Sequence, residues 1–291
     1  MQQNETDFHP SRFPEPEESM GRNTQLTAEE MVRRYQKELK NVRIMRWLTL
    51  AVYLLLLWRF APKLDLTLAV ISVLLFVGAM WFLQAMGAHQ FVLLQEVLHR
   101  NCDAVKYAKI MELLSVEKHK DAQVIRLCWA KGLFFAGDFE EAEKVLGSVY
   151  VEKPGVNTAL LYRNIAFNCA LEGKRLEDAR KEREETGKLL STAGKKEVGM
   201  VRQQLIQMDA ALALEEERYE DFFPLQEKVL RAAVAPMQRV VAQYRMALAE
   251  LIQGETDSAR ERLEEVAEDG GTIYVAAEAE NLLSDFGNFE E

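Results

Sequence analysis

The chain has 291 residues, with 36 lysines and arginines against 46 aspartates and glutamates, a net charge of −10. So acidic a body repels nucleic-acid phosphate, which excludes nucleic acid as a partner. Cys102, Cys128 and Cys169 are odd in number, far apart and without a CxxC pair. That excludes a disulfide framework and points to buried reduced thiols in a cytosolic compartment.

In chain order, residues 1–26 hold Pro10, Pro14 and Pro16 among few apolar side chains and read as a disordered tail. Thr27 and Glu30 then match a capping box, S/T-x-x-E, which opens a helix over 27–46. Val32, Tyr35, Leu39 and Val42 recur along it at helical spacing. Arg33, Arg34, Lys37, Lys40, Arg43 and Arg46 give residues 31–46 a net charge of +5. Such a basic amphipathic helix is a topology signal. It is also a surface for anionic lipid, worth about 1 kcal/mol per basic residue near the headgroups. The same spacing permits a short coiled-coil dimer.

Two apolar runs follow, residues 47–62 and 66–86. The second, "LTLAVISVLLFVGAMWFLQAM", carries no charge and is as long as the roughly 20 residues a bilayer core requires. The first spans only with Arg46 and Arg59 extending their heads to the headgroups. Trp47, Trp58 and Trp81 lie near the run ends, where indoles favour the membrane interface. Pro62 in the short link makes the pair an antiparallel hairpin, and Asp65 is placed to cap the second helix. Basic residues crowd before the first run and only Arg59 and Lys63 lie in the link. The positive-inside rule therefore keeps both termini in the cytoplasm, as in a bacterial inner membrane. Neither run holds a small-xxx-small pair or a central ionisable residue, so a pore or transport path is not indicated.

His99 and Cys102 stand three apart on an expected helix. Two ligands do not make a zinc site, and His9, His89 and His119 supply no second half, so no metal and no cofactor are expected. "GLFFAGDFEEAEKVL" (Gly132–Leu146) crowds Asp138, Glu140, Glu141 and Glu143 together. Related stretches recur as "ALEGKRLEDA" (Ala170–Ala179), "LEEERYEDF" (Leu214–Phe222) and "LIQGETDSA" (Leu251–Ala259). Ala142, Ala179, Phe222 and Ala259 mark equivalent positions. In each copy a helix ends, a turn follows, and acidic residues open a second helix, where carboxylates meet the positive end of the helix dipole. Gly137, Gly173 and Gly254 are expected to take the left-handed conformation that closes a helix. Ala142, Ala179 and Ala259 are small because two helices cross closely there. The carboxylate cluster is thus a helix start and neither a metal site nor an acid pair.

These stretches resemble the tetratricopeptide (TPR) repeat family. The family motif Gly-Asp-Tyr-Glu-Glu-Ala appears as Gly137-Asp138-Phe139-Glu140-Glu141-Ala142, with Leu146 and Pro154 matching later positions, so that Gln123–Val156 forms one repeat unit. The other copies depart. The second has an extra residue at Lys174-Arg175, the third has Glu217 for the glycine and Phe222 for the small residue, and the fourth has Thr256 for the aromatic. The resemblance, which covers about residues 121–285, implies a TPR-like α-solenoid of antiparallel helix pairs, and with the transmembrane hairpin read from the apolar runs the expected fold is all-α. About ten helices lie between Leu93 and Asp285, and each pair is expected to contact only its neighbours. Residues 91–285 form this cytoplasmic domain and 286–291 a tail. His99–Leu114 is a half-repeat coupling it to the membrane, and Thr272–Asp285 a capping helix after Gly270-Gly271.

In the family the first helix of each pair lines the concave face. Here that implies a groove with Arg126, Arg163, Asn164, Asn168, Arg202, Gln203, Arg239, Gln243 and Arg245, in which Arg and Asn hold a partner's carboxylate or backbone, while Trp129 on the same face is expected in the core rather than as a contact. The expected function is a membrane-anchored scaffold or adaptor for a protein or peptide partner. The alternative is an accessory subunit of a transport, secretion or envelope-synthesis complex whose hairpin makes the key contacts. No nucleophile motif, phosphate loop or HExxH points to an enzyme.

Overall fold

The periodicities of the sequence are those of helices, and the computed structural model contains twelve α-helices and no strand among the residues it describes, 26–60, 66–116, 122–150 and 154–289. The expected tail before Leu26, the link with Pro62 and Lys63, and the Asp65 cap lie outside these residues. Helix α1 (Ala28–Phe60) opens on the expected capping box. The Thr27 N–H donates to Glu30 Oε2 at 2.8 Å and the Glu30 N–H to Thr27 Oγ1 at 3.3 Å. The helix then runs 33 residues without a break, so the basic segment and the first apolar run are one rod of about 50 Å. Helix α2 (Leu66–His99) returns beside it over 34 residues. Both are long and apolar enough to cross a membrane.

Two contacts define the hairpin register. Gly87 lies against the side chains of Val42 and Leu39, and the Tyr53 and Phe76 rings stack at 4.3 Å. Trp47 is therefore level with Trp81 and Phe82. Both indoles are exposed, 69% and 73%, as is Trp58 near the other end at 82%. Large apolar side chains are exposed from Ile44 to Trp58 on α1 and from Leu68 to Met86 on α2. Below this belt the same two helices enter the protein core. Met31, Val32 and Val42 of α1 and Leu94, Val97 and Leu98 of α2 are buried, and Tyr35 packs on Phe91 at 6.4 Å. The apolar stripe that permits a coiled-coil dimer is thus covered within the chain, while Arg33, Arg34, Lys37, Lys40 and Arg43 stay exposed.

Helix α3 (Ala104–Ser115) packs on α1, α2 and α4 (Ala122–Phe135). Its crossing with α4 is close because Gly132 has no side chain; a Cβ there would stand 2.8 Å from the Ala108 Cα. Four helix pairs follow the grammar of the sequence: α4 with α5 (Phe139–Gly147), α6 (Val156–Glu172) with α7 (Leu176–Lys188), α8 (Glu197–Glu215) with α9 (Tyr219–Ala232), and α10 (Pro236–Gln253) with α11 (Thr256–Asp269). Helix α12 (Tyr274–Phe289) covers the last pair and extends past the expected end at Asp285. The ten helices α3–α12 agree with the expected number. Glu140 and Glu141, Glu177 and Asp178, and Glu220 and Asp221 all lie in first turns, and Ala142, Ala179, Phe222 and Ala259 are fully buried.

The four inner turns share one geometry. A left-handed residue sits at Gly137, Lys174, Glu217 and Gly254, with φ of +87°, +54°, +57° and +83°. The following N–H bonds the carbonyl five residues back: Asp138 to Leu133, Arg175 to Ala170, Arg218 to Ala213 and Glu255 to Glu250. This corrects the second copy. Gly173 is right-handed, φ −74°, and Lys174 takes the position the sequence reading gave to glycine, so no residue is inserted there. The large first residue of the next helix sets this register. Phe139, Leu176 and Tyr219 pack against the core, and the left-handed residue is counted back two positions from them.

A second correction concerns closure. The first helices of successive pairs touch, α4 to α6 to α8 to α10 to α12, but α10 also touches α2. The Thr272 N–H donates to the Cys102 carbonyl at 3.0 Å, and Thr272 Oγ1 accepts from the Val105 N–H at 3.2 Å. Tyr274 packs edge-on against Phe134 and Phe139 at 5.7 and 5.0 Å and donates to Glu172 at 3.0 Å. The chain therefore joins its last helices to its first, and helix pairs contact more than their neighbours. One buried cluster runs from Met31 through Ala142 to Ala279.

Candidate functional site

Closure turns the expected groove into a cavity of about 220 Å³. Its walls come from α4, α6, α8 and α10, the first helix of each pair, with contributions from His99, α9 and Tyr274. Apolar side chains such as Phe134, Phe167, Met208 and Val241 alternate on these walls with Asn164, Asn168, Gln204, Gln207, Gln226 and Gln238. Two cations complete the lining, Lys131 and Arg245. None of the lining residues is an aspartate or glutamate.

The polar groups form a partial network. Arg245 donates to Asn168 Oδ1 at 3.2 Å, and Asn168 Nδ2 donates to the Asn164 carbonyl at 2.7 Å. Gln238 Oε1 accepts from the Val234 and Ala235 N–H groups at the start of α10. Gln226 Nε2 donates to the Ala242 carbonyl at 2.9 Å, and its Oε1 is buried without a hydrogen-bond partner. Lys131 Nζ stands 3.0 Å from His99 Nε2. Burial pushes the Lys131 ammonium down to about 8, and burial together with the Lys131 charge pushes His99 down to about 3. At neutral pH His99 is therefore the neutral acceptor and Lys131 the charged donor. His99 is the last residue of α2, well beyond the apolar belt. Behind it, Tyr107 donates to Gln95 at 2.9 Å and Gln95 to the Cys128 sulfur at 3.3 Å. A polar chain so ties α2, α3 and α4 together next to the cavity.

Of the residues expected in the groove, the structure brings Asn164, Asn168 and Arg245 together. The others lie elsewhere. Arg163 pairs with Glu182 at 2.8 Å and Glu185 at 3.6 Å on α7. Arg239 and Gln243 line a separate cleft with Arg100, Glu265 and Asp269, and Gln243 donates to Glu265. Arg202 is exposed, Gln203 reaches the Ala232 carbonyl at 3.5 Å, and Arg126 is half-buried outside the cavity. Trp129 packs on the core. Lys131 was legible from the repeat: it precedes its left-handed turn by six residues, as Asn168 does, and Gln207 and Asn164 both precede theirs by ten. Gln226 sits on a second helix, and no rule of the repeat directs it inward.

The carboxylates of the opening motif serve the scaffold. Glu141 pairs with Lys144 at 3.0 Å and Glu143 with Arg175 at 2.7 Å. Cys102, Cys128 and Cys169 are free and buried, and Cys102 lies past the end of α2 with φ +51° rather than one turn along it from His99. Compared with protein-family models, curated proteins and solved structures, the chain matches none.

Proposed function

We propose that this chain is a membrane-anchored, cytoplasm-facing adaptor: a two-pass hairpin in a cell membrane, with both termini inside, holding a TPR-like set of helix pairs that engages a protein or peptide partner. The observation that carries the reading is the continuity of α1 and α2. Each passes without a break from an exposed apolar belt into the buried core. From Met86 to Leu94 is about 12 Å of helix, so the ring of helices stands against the headgroups and cannot swing on a linker. Trp47 and Trp81 mark the interface on one level, and Arg33, Arg34, Lys37, Lys40, Arg43 and Arg46 follow on the cytoplasmic side, where anionic lipid attracts them. The cavity admits no more than a side chain or chain end, so a folded partner engages the rim and outer faces of the helix pairs. No cofactor and no catalytic step belong to this reading.

A second reading, the accessory subunit of a membrane complex, is favoured by an apolar groove between the spans, lined by Leu48, Val52, Tyr53, Leu56, Ser72 and Phe76. A photo-crosslinking residue placed at Arg239, on the outer rim, or at Val52, in that groove, separates the two in native membranes. Capture of a protein from Arg239 supports the adaptor. Capture from Val52 alone supports the accessory subunit and refutes the adaptor.

A further inference from the structure

We infer that the ring cavity is a binding site for a small organic oxyanion carrying an O–H or N–H donor, with Lys131 and Arg245 taking the anion and Gln226 Oε1 taking the donor. The inference goes beyond the adaptor reading and does not depend on it. Charge is the first argument. In a chain of net charge −10, twenty residues line this cavity and no carboxylate is among them, while Lys131 and Arg245 are. Among the described residues neither cation forms an ion pair within 4 Å; Lys131 meets the neutral His99 ring, and Arg245 meets the Asn168 amide with the Glu172 carboxylate close enough to feel its charge. An ammonium held among protein atoms without a counter-charge is unfavourable, and an entering anion removes that penalty.

Gln226 gives the second, independent argument. Gln226 lines the cavity with its side chain only 1% exposed; its Nε2 is committed to the Ala242 carbonyl, and its Oε1 is buried without a hydrogen-bond partner. An orphaned buried acceptor is destabilising by itself and selects a ligand that brings a donor. Size is the third. About 220 Å³ is the space of roughly seven waters at ~30 Å³ each, which suits a short hydroxy- or amino-carboxylate or a small phosphate ester. The position adds a consequence. His99, the residue that holds Lys131, ends the helix that leaves the membrane belt and itself lines the cavity, so an occupant here lies against the end of the anchor helix.

The test uses the full chain in detergent micelles with three probes: inorganic phosphate, succinate and L-malate. Binding is read by thermal shift and by calorimetry. At least one probe is expected to bind saturably at millimolar concentration or below. Lys131→Met is expected to weaken it tenfold or more, and Lys144→Met, on the outer surface, to leave it unchanged. L-malate is expected to bind at least threefold tighter than succinate, and Gln226→Met to erase that preference. A readout that needs no variant is the rate of reductive methylation of Lys131, mapped by mass spectrometry; the bound probe slows it while Lys144 reacts as before. The inference is overturned if none of the three probes binds, if Lys131→Met binds as tightly as the parent, or if Lys131 is methylated equally fast with and without probe.

Discussion

Replacing Lys131 by methionine is expected to stabilise the protein. The fall of its ammonium from 10.5 to about 8 corresponds to roughly 3 kcal/mol of unfavourable burial at neutral pH, at ~1.4 kcal/mol per tenfold change in proton affinity. Half of that is set aside because the side chain still faces the cavity, and about 1 kcal/mol more for the lost hydrogen bond to His99. Methionine keeps the volume of the stem, so the net gain is on the order of 1 kcal/mol, a rise of about 2–4 °C in Tm. The sign of the pH dependence is distinctive. A basic group whose folded value is depressed opposes folding fully below about 8, and the opposition fades as pH climbs toward 10.5. Thermal melts of the full chain and of Lys131→Met in the same detergent, at pH 7 and at pH 10.5, are the assay. The variant melts higher at pH 7, and the gap closes at pH 10.5. A variant that melts lower at pH 7, or a gap that ignores pH, refutes the reasoning about the buried cation.

Further expectations concern the scaffold. Gly132→Ala drives a methyl against the Ala108 backbone and is expected to destabilise by about 1–3 kcal/mol, read as a lowered Tm. Arg262 holds the buried Glu250 through its Nε at 2.9 Å from both carboxylate oxygens; Arg262→Ala strands that charge and is expected to lower stability by about 3 kcal/mol, with Arg262→Ala/Glu250→Gln recovering part of it. Lys174→Gly relieves a left-handed non-glycine residue and is expected to gain up to ~1 kcal/mol in chemical denaturation, since the exposed pair with Glu215 contributes little. His99 resists protonation in the folded state, so acidification from pH 6.5 to pH 5 favours the unfolded chain by about 2 kcal/mol through this group; His99→Gln is expected to melt with a shallower pH dependence over that range.

The helix pairs were legible because local chemistry specifies them. The motif at Gly137–Ala142 and its three weaker copies place four turns whose hydrogen bonds prove equivalent, even where Lys174 and Glu217 replace glycine. The misassigned Gly173 shows the limit of a residue preference. The packing of Leu176 sets the register and outweighs the ~1–2 kcal/mol cost of a left-handed lysine. Closure was not legible, because Thr272 meets Cys102 and Tyr274 meets Phe134 across roughly half the chain, and no periodicity encodes such a contact. The site followed the same division. Asn164, Asn168 and Arg245 came from knowing which helix of a pair faces inward. Lys131 shares the register of Asn168, six residues before the left-handed turn of its repeat, whereas Gln226 lies on the second helix of its pair and reaches the Ala242 carbonyl of α10 by a contact that no repeat rule encodes.

The central claim, an anchor with the helical ring on the side of the N-terminus, is tested most directly by labelling single cysteines in sealed cells with a membrane-impermeant maleimide. Lys195→Cys lies on an exposed turn before α8, and the native cysteines are buried. The account predicts that Lys195→Cys reacts only after the membrane is opened, while Lys63→Cys in the link reacts in intact cells. Labelling of Lys195→Cys in intact cells contradicts it.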